Sequence, residues 1–218
     1  MAKASPSVLT GGLRGKAGNV VFVRQPGGGM SVRPRIAPAN PKTPSQQAWR
    51  ACVGAAGRAF SNLTSEQYLA WHAYAQDQVA LGNLNSAQPS AAFTTLAAKF
   101  IQLNGEFSSP PLLPPAAAFQ GDVVRVSVTF EGDSTLVFEA DRANQDDVVT
   151  ELLACRLRSR HERPRPRDYR ILGQVSFASG SLTAPADVAP GMYSPAVRFA
   201  SRETGQVSGL VVLGDRGL

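Results

Sequence analysis

The sequence predicts an α+β protein: an extended N-terminal arm or hairpin, a small three-helix region and a C-terminal immunoglobulin- or fibronectin-like β-sandwich. Three observations predict this order. Glycine and proline punctuate the first 40 residues, helix start signals stand at Thr43 and Thr64, and alternating apolar residues begin near Val124. The expected divisions are an arm at 1–42, helices at 43–107, a proline-rich linker at 108–115 and a sandwich at 116–218.

The N-terminal segment is expected to form a loose β-hairpin within an extended arm. Its two β-like runs, 19–24 and 30–33, are separated by Pro26 and three glycines, which is typical of a hairpin loop. The segment has few bulky apolar side chains, so we expect it to need another molecule before it takes a fixed shape. It would then add strands to a neighbouring protein or lie along it.

Two helix start signals repeat the capping-box pattern. Thr43 suits the N-cap position, Pro44 suits the first helical position, and Gln46 follows at the third. The same pattern begins again at Thr64. A third helix carries apolar residues at helical spacing and ends before Gly105. The predicted helices cover about 43–60, 64–82 and 89–104.

From about residue 116 the sequence predicts short strands. Val124, Val126, Val128 and Phe130 alternate with polar residues, which is typical of a half-buried strand. Several such strands with turn signals between them indicate a β-sandwich. The proline-rich segment 108–115 is expected to act as a stiff spacer between helices and sandwich. The predicted strands are 124–130, 136–140, 149–157, 169–177, 181–183, 193–200 and 207–213.

Charge is distributed unevenly along the chain. The net charge is +6, but residues 1–60 contain nine basic residues and no Asp or Glu. Such a segment cannot neutralise its charge internally, so an acidic protein surface, nucleic acid and plain solvation are its three alternatives. The basic residues predicted to contact a partner in this segment are Arg14, Lys16, Arg24, Arg33 and Arg35.

A second basic feature lies within the predicted sandwich. Seven of the 15 residues from Arg156 to Arg170 are Arg, and alternating prolines keep the middle of this run extended. Guanidinium groups suit bidentate contacts with carboxylates or phosphates. A solvated hairpin tip, an acidic protein neighbour and nucleic acid all remain as alternatives. The predicted contact residues are Arg158, Arg160, Arg163, Arg165 and Arg167.

No residue pattern supports catalysis, and the chain is predicted not to be an enzyme. The Gly15-Lys16-Ala17 motif lacks the spacing and the Ser or Thr of a phosphate-binding loop. His72 and His161 have no Cys or carboxylate partner at metal-ligand spacing. We therefore expect no catalytic residue, no metal and no cofactor.

The remaining composition indicates a protein that is assembled with others. Charged residues make up only 17% of the chain, a share that favours a surface partly buried against partners. Cys52 and Cys155 show no paired spacing and are expected to be buried in a reducing compartment. No apolar run approaches the roughly 20 residues of a membrane span, and the N-terminus lacks the apolar region of a signal peptide.

Several motifs resemble the N-terminal part of proteins from tailed phages and prophages. Residues 15–21, Gly-Lys-Ala-Gly-Asn-Val-Val, match a G-K-x-G-N-V-V hairpin, and residues 40–46 match an N-P-x-T-x-x-Q helix start. Segments 63–71 and 100–104 continue the series. The resemblance covers about residues 12–115, and the rest is similar only in its strand pattern.

The resemblance implies a virion structural protein, either a capsid cement or decoration protein or a neck or tail component. It would bind neighbouring subunits through the N-terminal arm. The expected partners are other virion proteins and copies of the same chain, with nucleic acid left open and with no membrane or small-molecule partner. The expected location is the virion, assembled in the host cytoplasm. The alternative is a nucleic-acid-binding accessory protein that uses the same basic arm.

Overall fold

The computed structural model describes residues 2–4, 15–24, 30–36, 40, 42–84, 86–105, 108–132, 134–159 and 161–214. They form an α+β fold, which confirms the predicted fold class. Two compact units are present, Met1–Thr43 and Pro44–Leu218. Among the described residues, no helix has the length and apolar character needed to cross a membrane.

The described residues of the first unit form a four-stranded antiparallel sheet with the strand order β1-β4-β3-β2. The predicted hairpin corresponds to the pairing of β3 with β4, in which Phe22 stands opposite Val32. The structure adds β1 and β2, which are too short to show a period-2 pattern in the sequence. Gly18 has a φ of 56° in the two-residue turn that joins β2 to β3, and glycine adopts this conformation at low cost. The strands are β1 (Ala2–Ala4), β2 (Gly15–Ala17), β3 (Val20–Arg24) and β4 (Met30–Pro34).

Three helices begin the second unit, and they lie where the sequence predicts them. The predicted capping box of the second helix is present. Thr64 Oγ1 accepts a hydrogen bond from the Gln67 backbone N–H (3.3 Å), and Gln67 Oε1 accepts one from the Thr64 N–H (2.9 Å). Two backbone groups that a helix end leaves unpaired are thereby satisfied. The helices are α1 (Pro44–Ser61), α2 (Ser65–Ala80) and α3 (Pro89–Asn104).

The helical core is built on α3. Trp71 of α2 packs edge-on against Phe93 of α3, with ring centroids 5.1 Å apart, and Ala75 is buried beside them. Tyr68 and Val79 share this face of α2 by helical spacing, and they are 44% and 37% exposed. The face is therefore buried most deeply at the middle of the helix.

Seven strands form a sandwich of two antiparallel sheets, β5-β6-β9 and β11-β10-β7-β8. Lettered A, B, C, C′, E, F and G in chain order, they give the sheets A-B-E and G-F-C-C′, which is a fibronectin-type arrangement. Phe138, Leu136 and Phe177 fill the core between them. The strands are β5 (Val126–Glu131), β6 (Thr135–Ala140), β7 (Val148–Leu157), β8 (Arg170–Val175), β9 (Thr183–Asp187), β10 (Met192–Ser201) and β11 (Val211–Val212).

A buried tyrosine fixes the connection between β9 and β10. Tyr193 lies at the start of β10 and is 7% exposed. Its hydroxyl donates a hydrogen bond to the Ala189 carbonyl oxygen, four residues upstream, at 2.7 Å. A tyrosine at this corner with this backbone contact is a hallmark of immunoglobulin-like sandwiches. It supports the fold class independently of the strand order.

Two strands differ from their predicted positions: the last, predicted at 207–213, is only Val211–Val212, and the strand before β10 is shifted along the chain. The sequence predicts 181–183, whereas β9 covers Thr183–Asp187 and pairs Pro185 with Val137 of β6. Proline has no backbone N–H to donate, so Pro185 reads as a loop residue in the sequence. It is tolerated here because β9 is the edge strand of its sheet.

Helices and sandwich are not held apart by the proline-rich segment, contrary to the sequence-based expectation. The indole N–H of Trp71 donates to the Leu112 carbonyl oxygen at 2.9 Å, so the segment lies against the helices. Asn104 Nδ2, at the end of α3, donates to the Arg202 carbonyl oxygen at 2.7 Å. The helical layer therefore packs directly on the sandwich.

Gly205 marks the tightest point of this packing. It lies in the turn after β10 with a φ of 73°. A Cβ atom at this position would stand 2.2 Å from the Leu96 carbonyl oxygen and 2.9 Å from the Phe100 nitrogen, both in the backbone of α3. Only glycine fits the turn and the close approach of the helix together.

We expect Gly205→Ala to lower the free energy of unfolding by about 1–3 kcal/mol, because the turn and α3 must separate to admit the methyl group. Urea unfolding followed by tryptophan fluorescence measures the effect. Gly209→Ala is the matched control, because no atom lies within 4 Å of its added Cβ. We expect the control to change stability by less than about 0.5 kcal/mol. Equal effects of the two substitutions would contradict the packing described here.

Candidate partner-binding surfaces

The basic residues predicted to bind partners fall into two groups, one in each compact unit. Those of the N-terminal sheet that the structure shows to be exposed are Lys16, Arg33 and Arg35. Those exposed in the loop between β7 and β8 are Arg158, Arg163, Arg165 and Arg167. Arg24 lies in β3. Arg14 and Arg160 fall outside the described residues.

The register gives the N-terminal sheet two different faces. Residues directly opposite each other in antiparallel strands share a face. Lys16 of β2, Val21 of β3 and Arg33 of β4 therefore form one row across three strands. Phe22 and Val32 stand opposite each other on the other face. One face thus carries the exposed Lys16 and Arg33, and the other, the apolar face, carries Phe22 and Val32, with Arg24 at the end of the same set of β3 positions.

The apolar face is incompletely covered by the described residues of its own unit. Val20, Phe22 and Val32 are only half-buried. Ser31 is the one residue of Met1–Thr43 that the structure describes as buried, and it stands opposite Val23 on the cationic face. A sheet with an apolar face is stable when a second layer covers that face, and the described residues of this unit provide no such layer.

In the second unit, residues 158–169 form the arginine loop between β7 and β8. Its two carboxylates hold the backbone. Glu162 Oε2 accepts a hydrogen bond from the Arg158 N–H at 2.7 Å, and Asp168 Oδ2 accepts one from the Arg165 N–H at 2.9 Å. Arg167 makes a loose ion pair with Asp168 at 4.0 Å, with both side chains largely exposed. The acids thus shape the loop, and the guanidinium groups extend into solvent.

The end of the arginine loop is anchored in the sandwich. Tyr169 is 7% exposed, and its hydroxyl shares a hydrogen bond of 2.9 Å with the Ser194 hydroxyl of β10. Leu153, Leu157 and Ala196 pack around it in a small core of their own. The cationic loop is therefore carried by a fixed support.

A fully buried carboxylate joins the helices to the sandwich. Glu151 of β7 is 0% exposed. Its Oε1 accepts hydrogen bonds from Lys99 Nζ of α3 and from Gln174 Nε2 of β8, the latter at 2.7 Å. Its Oε2 accepts one from Arg198 Nε of β10 at 2.5 Å. Lys99 also donates to Gln102 Oε1 at 2.9 Å. The four elements α3, β7, β8 and β10 thereby meet at one group.

This surrounding sets the ionisation of Glu151. Burial alone would raise the pKa of its carboxyl group. The ammonium of Lys99 and the hydrogen bonds from Lys99 and Gln174 outweigh that effect and hold the pKa below its usual range. Burial lowers the pKa of Lys99, against the opposite pull of Glu151. The carboxylate stays ionised because its neighbours replace the water it has lost.

A groove of about 660 Å³ opens beside this cluster, between the first half of α1, α3 and the outer side of the β7-containing sheet. Trp49, Ile171 and Val207 line it and are each more than 40% exposed. The cations that line it, Lys99 and Arg198, both donate to Glu151. The groove is therefore mainly apolar, and the two cations that line it are already bound to Glu151.

Sequence reasoning misses the Lys99–Glu151–Arg198 cluster, although two signals point to it. Glu151 is the one acidic residue in the mainly apolar run of β7, and Lys99 is the one Lys or Arg between 61 and 120. A lone charge inside an apolar pattern indicates a buried group that needs a partner. The identity of the partner depends on how α3 crosses the sheet, which periodicity does not reveal.

Comparisons with known proteins give no relative from which a function can be transferred. No family model matches this chain, and no curated protein matches it. Two solved structures show a weak likeness, a longer and a shorter form of the sensor domain of the anti-sigma factor RsgI4 from Pseudobacteroides cellulosolvens. Their identities are 11% and 9%; each covers 44% of this chain, over 92% and 96% of their own lengths, with a TM-score of 0.25. A superposition this poor carries no argument.

We expect Glu151→Gln to lower the free energy of unfolding by about 3–5 kcal/mol at neutral pH, since Lys99 loses its carboxylate while it stays buried. The folded-state pKa of Glu151 is depressed. Its contribution is therefore present above the pKa of the unfolded chain and is lost as pH falls through the folded value. The difference between wild type and variant should shrink in that acidic window, as measured by urea unfolding at several pH values.

Arg142→Gln serves as the control for this experiment. It removes an exposed ion pair to Asp141 (3.1 Å), and exposed pairs contribute about 0–1 kcal/mol. A loss for Glu151→Gln no larger than that of the control, or a loss independent of pH, would show that the buried carboxylate does not hold the helices on the sandwich.

Proposed function

We propose that this chain is a non-enzymatic structural protein of a tailed-phage-type particle, which joins neighbouring subunits through its N-terminal sheet. The role is binding, either as a capsid cement or decoration protein or as a neck or tail component. The observation that carries the proposal is the row of exposed cations, Lys16 and Arg33 on either side of Val21, on one face of this sheet.

The charge of this unit supports an assembly role. Residues 1–43 contain seven basic residues and no acidic residue. In the sheet, Lys16 and Arg33 are exposed and flank Val21 in one row. Cations around an apolar centre fit a protein surface that presents carboxylates around an apolar strip. Residues 15–21 and 40–46, in and directly after this sheet, resemble motifs of phage and prophage proteins, which supports the same role.

The second unit supports the proposal because its two layers are fixed to each other. Its helices and sandwich are locked by Glu151 and by the close approach of Gly205 to α3. It carries the arginine loop as a second cationic surface on a fixed support. Repeated copies of such a chain would convert weak individual contacts into stable attachment.

Particle incorporation tests the proposal. Tagged chain is expressed in the cells that encode it, and particles are purified by sucrose-gradient sedimentation. We expect the wild type to sediment with particles and the Lys16→Gln/Arg33→Gln variant to be incorporated on the order of tenfold less, because both cations of the row are lost. Wild-type chain confined to the light fractions would sink the proposal.

Arg125→Gln/Arg142→Gln is the matched control, because it removes the same charge from exposed positions of the sandwich. We expect it to be incorporated like the wild type. Equal loss in both variants would mean that net charge, rather than the row on the sheet, governs attachment.

The absence of acids from the first 65 residues also favours a second candidate, a nucleic-acid-binding accessory protein. Duplex DNA titrations at increasing salt separate the two. Phosphate binding through the sheet predicts affinity that falls steeply with salt, with a log–log slope of about 0.9 per phosphate contacted. The structural proposal predicts no saturable duplex binding at about 0.15 M salt, where exposed charges are screened beyond about 8 Å.

A further inference from the structure

A second charged sheet face lies on the opposite side of the sandwich from the helices. The strands β5, β6 and β9 contain no Lys or Arg. Their outward positions carry the carboxylates of Glu131, Glu139 and Asp187, all exposed. Among the described residues none of these three forms a salt bridge. The helices cover the other sheet, where α3 contacts Glu151.

The register arranges two of these acids like the two cations of the N-terminal sheet. Glu131 pairs with Thr135, and Thr135 pairs with Asp187, so the acids stand on the outer strands of a three-strand row. Lys16 and Arg33 likewise stand on the outer strands of a row, on either side of Val21. Both pairs are separated by two strand spacings, which is about 10 Å.

We propose that the cationic row of one copy docks on the acidic row of a second copy, so that the chain associates head to tail. This rests on the proposed assembly role of the N-terminal sheet and names a partner for it. Lys16 and Arg33 then face Glu131 and Asp187 across two stacked antiparallel sheets. A contact between unlike surfaces propagates into a ring or a filament.

The charge balance favours head-to-tail association of two copies over contact between their two N-terminal sheets. Residues 1–43 carry seven basic residues and no acid, whereas residues 44–218 carry 15 basic and 16 acidic residues. Two N-terminal sheets face to face would bring like charges together. A sheet laid on the acidic face of another copy brings opposite charges together, and the repulsion is replaced by attraction.

Neutral substitutions on each face test the contact in the full-length chain by sedimentation velocity. We expect wild type to form larger species that increase with concentration and dissociate as salt is raised from about 0.05 to about 0.5 M. Lys16→Gln/Arg33→Gln and Glu131→Gln/Asp187→Asn should each associate on the order of tenfold more weakly. Glu66→Gln/Asp77→Asn, at exposed positions of α2, is the charge-matched control and should associate like wild type.

Mixing the two face variants is the decisive step. Each retains one intact row, so an equimolar mixture should form a capped one-to-one complex that neither variant forms alone. A wild type that is monomeric at every soluble concentration would overturn the inference, as would an acidic-face variant that associates normally or a mixture that stays monomeric.

The same experiment separates this inference from the proposed function. A monomeric wild type that still enters particles would remove the head-to-tail contact and leave the structural role intact. A wild type that self-associates but never enters particles would support the head-to-tail contact and contradict the proposed structural role.

Discussion

The second unit depends on one buried carboxylate. The Glu151 carboxylate loses its hydration free energy when it is buried. Charges and hydrogen bonds contributed by several elements offset that loss. Lys99 comes from α3, and Gln174 and Arg198 come from the two strands beside β7. Because the groups must converge, the helical layer has one position on the sheet, and the segment that leads into the sandwich has to follow it.

The first unit differs from the second in that its charges are not balanced within its own sequence. Its cations have no carboxylate within the same 43 residues. The described part of its sheet also leaves apolar side chains half-buried. The second unit satisfies its buried polar groups internally, whereas the proposed role of the first is to have its charge balanced by a partner. This contrast is the physical reason for assigning attachment to the sheet and support to the rest.

Local signals in the sequence are sufficient for the helices and most strands. The Thr64 capping box, Pro44 and the alternation over 124–130 each act within a few residues, and the structure contains the elements they predict. The strand Thr183–Asp187 shows where this fails, because its short sequence has little apolar alternation and its pairing with β6 is a contact between distant residues.

Relations between distant residues were not accessible from the sequence. The pairing of Lys99 with Glu151, and the fit of Gly205 against α3, depend on how separate elements cross. The sequence identifies the candidate cations. The strand register and the hydrogen bonds were needed to show that some of them form a row on a sheet and others lie in an exposed loop.

The arginine loop has a consequence for how such a protein diversifies. Its two carboxylates bind backbone N–H groups, so the shape of the loop does not depend on the chemistry of its long side chains. If the loop binds a partner as proposed, replacing those side chains would alter recognition with little effect on folding. The sandwich could then stay unchanged while the partner changes.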